Sequence, residues 1–204
     1  MAQEAKLHCV ANPCPFCENM VKCVQMAGQA VNTLCGGAMD VRFKYADKTR
    51  LEEILPACFE ILYENMSVIA PTGDLYEEDL RLWCDTIYPL MEKAGRQLIL
   101  LYCEEELAGY FQYSISDKTL LMEEIQFRAI YHGTGLFRQL YTWLIKQLPK
   151  DLCCVAAYVH KNNQNAQNIL NYLGLACCGE NRSGNSFYYK GSYCELLNKY
   201  WKKQ

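Results

Sequence analysis

The 204-residue sequence predicts a mixed α/β fold in which helices flank a single sheet. Segments with apolar residues at every second position predict strands, and segments with apolar residues every three or four positions predict helices. These segments follow the order strand, two helices, three strands, helix, strand, helix, two strands and a final helix. Two consecutive strand–helix units in the second half of the chain carry most of the functional information.

The first half of the chain predicts a strand, two helices and a hairpin. In order, they cover residues 41–45, 49 to about 65, 76–94, and the pair 97–103 and 107–115. Thr49, followed by Glu52, is a capping-box pattern that predicts the start of the first helix, and Pro56 is expected to bend that helix. Gly95 marks the exit of the second helix.

The most informative segment joins a strand to a helix through two glycines, Gly133 and Gly135. Apolar residues alternate before the turn, at Leu121, Ile125 and Phe127. Leucines recur every four residues after it until Pro149 ends the helix. Without side chains at the two glycines, backbone N–H groups of a helix N-terminus can approach an anion closely, which predicts a pyrophosphate site. The alternative is an ordinary helix-entry turn that needs no ligand.

A second strand–helix unit follows over residues 155–175. Its helix begins at an Asn-rich cap that includes Asn163 and ends at Gly174. The apolar face of this helix comprises Ala166, Ile169, Leu170 and Leu173. Short strands around Cys177 and at 187–190, with a turn at 183–185, precede a last helix over 193–201.

Together the two units resemble the acyl-CoA-binding half of the GNAT N-acyltransferase superfamily, over roughly residues 40–190. The family motif Gln/Arg-x-x-Gly-x-Gly/Ala falls on residues 130–135. The second motif, Asn-x-x-Ala followed by an aromatic position and Gly-Phe, falls on Asn163, Ala166, Leu170, Gly174 and Leu175. The chain departs from the family pattern at Ile130, His132, Leu170 and Leu175. Leu170 replaces a tyrosine that protonates the departing thiolate in many members.

The resemblance implies a GNAT-like fold, with a central twisted, mostly antiparallel sheet, parallel splayed central strands and flanking helices. It also implies an N-acyltransferase that moves an acetyl group from acetyl-CoA to an amine of a small molecule or peptide, by direct attack in a ternary complex. An acyl-CoA-binding regulatory or interaction protein with weak catalysis is the alternative, because part of the catalytic equipment is altered.

The resemblance also implies a set of cofactor-binding residues. Backbone N–H groups from the glycine turn would bind the pyrophosphate, at His132, Gly133, Thr134, Gly135, Leu136 and Phe137. Asn163 would hydrogen-bond the pantetheine arm. A backbone N–H at Ile125 or Phe127 would polarise the thioester carbonyl, where two parallel strands splay apart.

Glu123 is the candidate general base, because a period of two places it on the strand face of Ile125 and Phe127, with Glu124 on the opposite face. The alternative is that Glu123 is only a solvated or salt-bridged charge at the sheet rim. His132 is a second candidate, although phosphate contact or packing suits its position better.

Other side chains are weaker candidates. Leu170 cannot donate a proton, and Tyr172 is expected to face away from the site. Tyr158, Tyr188 and Tyr189 are alternative donors, although strand tyrosines usually pack. Acidic side chains could attract a cationic acceptor amine or simply be solvated, at Glu77, Glu78, Asp79 and Glu104–Glu106.

Composition excludes several classes of protein. The net charge of −3 argues against a nucleic-acid surface, and no apolar run is long enough to span a membrane. The first residues lack the basic start and apolar core of a signal peptide. Thirteen cysteines, an odd number, favour free thiols in the reducing cytoplasm over a disulfide framework. Five of them are predicted to be small core residues, at Cys58, Cys84, Cys103, Cys153 and Cys154.

The first 38 residues differ from the rest and hold five of the cysteines. They predict an N-terminal Cys-rich extension over 1–38, with the GNAT-like domain over 39–204. The cluster of Cys9, Cys14, Cys17 and Cys23 could bind zinc, but its second pair lacks a matching spacing, so free thiols are preferred and no metal is expected. A homodimer is compatible with the resemblance, since the aromatic last helix could be buried within or between subunits.

Overall fold

A computed structural model describes residues 40–67 and 70–201. The predicted extension over 1–38 and its cysteine cluster lie outside the described residues. The division of the chain at residue 38 therefore stays a prediction.

Seven strands and five helices follow the predicted order along the described chain. The strands are β1 Val41–Tyr45, β2 Arg96–Cys103, β3 Glu106–Ser116, β4 Thr119–Phe127, β5 Cys154–His160, β6 Ala176–Glu180 and β7 Ser186–Ser192. The helices are α1 Leu51–Met66, α2 Tyr76–Met91, α3 Leu136–Gln147, α4 Gln164–Leu173 and α5 Tyr193–Trp201. The predicted mixed α/β architecture is confirmed.

The seven strands form one sheet in the order β1-β2-β3-β4-β5-β7-β6. Neighbouring strands are antiparallel except β4 and β5, which are parallel. The parallel pairing begins at Thr119 with Cys154 and ends at Met122 with Ala157. Because β4 continues to Phe127 and β5 to His160, the two strands separate into a wedge at their carboxyl ends. The predicted splay of two parallel central strands is confirmed.

Each face of the sheet carries its own hydrophobic cluster. Helices α1 and α2 cover one face, where Phe59, Trp83 and Tyr110 are buried. Helices α3, α4 and α5 cover the other face, where Leu140 and Val155 are completely buried. Burial of these apolar side chains against the sheet is the main term that holds the helices in place. The wedge therefore lies between two separately packed layers.

A β-bulge interrupts β4 at Glu123. Gln112 of β3 pairs with Glu124, and the next residue, Tyr113, pairs with Met122. Glu123 is thus the extra residue of the bulged strand. An extra residue shifts the alternation of side chains between the two faces by one position.

The bulge overturns the predicted alternation of β4. The apolar side chains of β4 that are buried on the α3 face are Leu120, Met122, Ile125 and Phe127. Leu121 was therefore assigned to the wrong face. Glu123 does not share the face of Ile125 and Phe127 either, because its carboxylate bonds Gln112 and Ser114 on the α1 face.

The capping box predicted at Thr49 was wrong. Thr49 lies in a 3₁₀ turn, Lys48–Arg50, and α1 begins only at Leu51. The side chain of Asp47 accepts hydrogen bonds from the backbone N (2.9 Å) and the Oγ1 (2.7 Å) of Thr49. An aspartate two positions earlier thus caps the turn and occupies the hydroxyl on which the predicted cap depended.

The last helix packs within the chain. Tyr193 and Leu196 of α5 are buried against the sheet, and the ring of Tyr200 stacks on Tyr141 of α3 with centroids 5.3 Å apart. Of the cysteines predicted to be core residues, Cys153 is exposed. The reason is its place in the turn before β5, where its backbone N–H bonds the carbonyl of Lys118.

Gly109 of β3 tests how closely β3 and β4 must approach on the side of β4 that faces away from the wedge. A Cβ at Gly109 would clash with the carbonyl oxygen of Gln126 and lie 2.8 Å from Cδ1 of Phe127. Gly109→Ala should lower the free energy of unfolding by about 2 kcal/mol, the typical cost of overpacking. Urea denaturation followed by circular dichroism measures it. An unchanged denaturation midpoint would show that β4 can move aside for the added methyl group with no loss of stability.

Candidate active site

The glycine turn connects the end of β4 to α3. A 3₁₀ turn, Ala129–Tyr131, follows β4, and Gly133 (φ 75°) and Gly135 (φ 83°) then adopt the left-handed conformation. That conformation strains any residue with a Cβ, which explains glycine at both positions. A Cβ at Gly135 would meet no atom within 4 Å, so the space in front of this turn is open.

Two of the predicted amide donors make bonds within the turn. The amide of His132 bonds the carbonyl of Ala129 at 3.1 Å. The amide of Thr134 makes a long bond of 3.4 Å to the carbonyl of Tyr131, which also accepts the Thr134 hydroxyl at 2.8 Å. These contacts hold the turn in shape.

The first turn of α3 presents its amides toward the open space. The helix-type bonding starts with Gln139, whose amide bonds the carbonyl of Gly135 at 3.1 Å. Leu136 and Phe137 precede it, where amides have no intrahelical acceptor. Gly135 is the N-cap residue and has no side chain that could cap them. The helix dipole adds a partial positive charge at the same end, so this turn suits an anion.

The backbone of β4 directs alternate N–H groups into the wedge. The amide of Arg128 bonds the carbonyl of Ala108 in β3 at 2.8 Å. Because main-chain groups alternate sides along a strand, the N–H groups of Phe127 and Ile125 point the other way, toward β5. The predicted place for the groups that polarise a thioester carbonyl therefore lies in the wedge.

Asn163 lies at the β5 side of the wedge and caps α4. Its side-chain oxygen accepts the amide of Ala166 at 3.1 Å, and the residue is 6% exposed. The cap sets the direction in which α4 leaves the wedge. Gly174, with a φ of 91°, ends the helix as predicted.

Leu170, at which the chain departs from the pattern of the second motif, is buried. Its side chain is 1% exposed and lines a closed apolar pocket with Phe137, Tyr141 and Met122. Tyr172, on the same helix, is 68% exposed and faces away, as predicted. Its ring lies 4.5 Å from the ammonium nitrogen of Lys199.

Other tyrosines near the wedge are packed. The hydroxyl of Tyr141 donates to the sulfur of Met122 at 2.8 Å, and burial raises the pKa of Tyr141 above its ordinary value. Burial also raises the pKa of Tyr189. The rings of Tyr158 and Tyr188 lie 4.9 Å apart. Tyr158 alternates with the β5 residues buried on the α3 face, so it points to the opposite face, on which Glu123 lies.

Glu123 is the centre of a buried polar network. Its Oε1 pairs with the guanidinium of Arg96 and accepts the hydroxyl of Ser114 at 2.7 Å. Its Oε2 accepts the amide of Gln112 at 2.8 Å. Glu123 is thus a salt-bridged carboxylate inside the sheet layer. A carboxylate can accept about four hydrogen bonds, so these three leave one acceptor position, on Oε2.

A second set of polar side chains links α1 to the end of β4. The side-chain nitrogen of Asn65 donates to Oε1 of Gln126 and to the carbonyl of Phe127, both at 3.0 Å. Gln126 in turn lies 3.5 Å from Oε1 of Glu124. Sequence reasoning missed Asn65, Gln126 and Arg96. Nothing in the local sequence distinguishes these residues from other polar residues at the ends of helices and strands, and only the fold brings the three elements together.

The acidic side chains considered for acceptor binding have different environments. Asp79 is buried and accepts the hydroxyl of Thr72 at 2.6 Å, and Glu105 pairs with Arg42. The others are exposed on the first turn of α2 and on the β2–β3 turn: Glu77, Glu78, Glu104 and Glu106.

Neither a membrane span nor a metal cluster is found in the part of the chain that the structure describes. Its helices are too short or too polar to cross a bilayer. Within residues 40–67 and 70–201, no three His, Cys, Asp or Glu side chains come together in a way that could hold a metal ion.

Comparison with known proteins identifies the class to which this fold and site belong. The model of the acetyltransferase (GNAT) family matches residues 51–175, more than half of the chain. The chain therefore belongs to the GNAT family, whose members are acetyl-CoA-dependent N-acetyltransferases. No match was found among curated protein sequences.

Solved structures share the fold. The PaiA N-acetyltransferase of Thermoplasma acidophilum, in complex with coenzyme A, matches with a TM-score of 0.62 at 14% identity, covering 76% of this chain and 100% of its own. An acetyltransferase of Thermus thermophilus matches at 0.59 and 15% identity, covering 74% and 96%. A chimera based on the spermidine N-acetyltransferase SpeG of Vibrio cholerae matches at 0.52 and 14% identity, covering 78% and 98%.

Leu170 allows a test of its packing role. Leu170→Tyr would force a larger, polar side chain into the closed apolar pocket, so the free energy of unfolding should fall by about 2 kcal/mol. Tyr172→Leu on the exposed side of the same helix is the control and should change it by less than about 0.5 kcal/mol. Urea denaturation of both variants measures the difference. A Leu170→Tyr variant as stable as the wild type would show room for a phenol there.

Proposed function

We propose that this protein transfers the acetyl group of acetyl-CoA to the amine of a small molecule or peptide by direct attack in a ternary complex. The observation that carries the proposal is the open glycine turn at the end of the β4–β5 wedge. The wedge-facing amides of Ile125 and Phe127 and the anion donors at Leu136 and Phe137 belong to one segment, the end of β4 with the turn that leads into α3, so one ligand with a diphosphate and a thioester can engage both.

The described residues fit such a ligand. The amides of Leu136 and Phe137 would bind the diphosphate, and Gly135 leaves space for it. The pantetheine arm would follow the wedge, where Asn163 lies on the β5 side. The thioester supplies the activated acyl group, and the N–H of Ile125 or Phe127 would stabilise the charge that develops on its carbonyl oxygen.

The amine would enter from the opposite face of the sheet. The glycine turn leads into α3, whereas Glu123 lies on the face covered by α1 and α2. The two reactants would thus meet in the wedge from opposite sides, which suits direct attack. The exposed acidic residues on the first turn of α2 and on the β2–β3 turn would attract a cationic amine to that side.

Glu123 is the proposed base. The remaining acceptor position on Oε2 can take a hydrogen bond from the amine or from one bridging water. Arg96 neutralises the buried charge, and Gln112 and Ser114 fix the orientation of the carboxylate. The contacts that make Glu123 a salt-bridged residue would therefore also position it for proton transfer.

The cofactor site is tested with two glycines of the same backbone conformation. At a hundred times its dissociation constant, acetyl-CoA should stabilise the wild type by about 2.7 kcal/mol, seen as a higher melting temperature. Gly135→Val should abolish the increase because its side chain would occupy the space in front of the amides. Gly73→Val is the control, since Gly73 also has a positive φ (86°) and open surroundings but lies in the α1–α2 loop. Equal shifts in both variants would place the cofactor elsewhere.

The base is tested with two neighbouring carboxylates. Glu123→Gln should lower kcat about a hundredfold, within the usual range for loss of a general base, while acetyl-CoA affinity stays the same. Glu124→Gln is the matched control, because Glu124 is the next residue of the strand and is also buried. Release of free CoA in the presence of a panel of amines measures turnover.

The outcomes identify the catalytic carboxylate and distinguish the enzyme from the acyl-CoA-binding regulatory or interaction protein. A larger loss in Glu124→Gln than in Glu123→Gln would move the catalytic role to Glu124. Binding of acetyl-CoA without turnover of any amine in the panel would favour the regulatory or interaction protein over the enzyme.

A further inference from the structure

One main-chain oxygen in the wedge accepts two side-chain hydrogen bonds. The carbonyl of Phe127 accepts the side-chain amide of Asn65 at 3.0 Å and lies 3.1 Å from Nε2 of His132. The two donors come from different elements, since Asn65 is in the last turn of α1 and His132 begins the glycine turn. They meet at the final residue of β4.

The polarity of the contact settles the orientation of both side chains. A carbonyl oxygen can only accept, so Nε2 of His132 must carry the hydrogen, which holds for one neutral tautomer and for the imidazolium. The same nitrogen of Asn65 also faces Oε1 of Gln126 at 3.0 Å. Asn65 therefore donates both of its N–H groups to β4 and ties α1 to the strand.

The carbonyl of Phe127 faces the wedge, where the thioester would lie. The carbonyl of Phe127 points into the wedge together with the N–H of the same residue, because Arg128 bonds β3 on the other side. Left bare, that oxygen would place a partial negative charge close to the oxyanion that forms during acyl transfer. Two donors offset this charge and fix the last peptide group of the strand.

We infer that Asn65 and His132 are positioning residues for acyl transfer, which act through the carbonyl of Phe127. They hold the wedge-facing N–H groups of β4 in register with the glycine turn, so that diphosphate and thioester are engaged at a fixed separation. This inference rests on the proposed function. It adds a role for α1, an element outside both sequence motifs.

Asn65→Asp tests the inference with an almost isosteric change that removes the donor. It removes the hydrogen bonds to Gln126 and to the carbonyl of Phe127, and loss of the latter should lower kcat about tenfold, with the KM for acetyl-CoA changed less than about twofold. The value of kcat is expressed per occupied site, with occupancy from calorimetric titration with acetyl-CoA. A purely structural role would reduce occupancy and leave turnover per occupied site unchanged.

Two further sets of variants sharpen the test. Asn171→Asp makes the same chemical change on the exposed side of α4 and should retain wild-type kcat. His132→Gln keeps an N–H donor and should retain more of kcat than His132→Leu. Turnover per occupied site that is equal in Asn65→Asp and the wild type would overturn this inference alone. A wild-type protein that binds acetyl-CoA but acetylates no amine would overturn the proposed function and the inference with it.

Discussion

The separation of two parallel strands is the constraint on which the rest of the structure depends. The pairing of β4 with β5 ends at Met122 and Ala157. Both strands then continue without pairing to each other, although β4 stays paired with β3 and β5 with β7. Main-chain N–H and C=O groups in the middle of a sheet normally pair with the next strand, so the gap leaves polar groups that a ligand can use. The glycine turn, the cap of α4 and the last turn of α1 all lie around this gap. Each is held in place by a hydrogen bond described above.

Most of the fold could be predicted from the sequence because periodicity and turn residues are local signals. Periodicity gave the order of the elements, and the glycine pair located the helix start that faces the wedge. The bulge at Glu123 could not be predicted in this way, because a bulge is defined by the pairing of two strands and leaves no mark in the spacing of one. The wrong face predicted for Glu123 followed directly from the bulge. One extra residue reverses the alternation of side chains between the two faces of the sheet.

Contacts between segments that are distant in the sequence could not be predicted either. Arg96, Gln112, Ser114 and Glu123 come from three strands and form one network only after the sheet is assembled. Asn65 reaches Phe127 across sixty-two positions of the chain. A carboxylate that looks like an isolated charge in the sequence thus has three partners, and its chemistry depends on all of them. Buried networks of this kind cost free energy when one member is removed, which links the proposed role of Glu123 in catalysis to stability at the same residues.

The two hydrophobic clusters touch opposite faces of the sheet, and this has a consequence for how such a protein can diversify. Mutations in the helices over one face can reshape the side proposed for the acceptor, while the packing that holds the glycine turn on the other face is untouched. Energetic effects of residues that share no contacts are close to additive. In an enzyme of the proposed function, new substrate preferences can therefore accumulate by substitution in α1 and α2 without loss of the proposed donor site, provided that the hydrogen bonds from Asn65 to the end of β4 are kept.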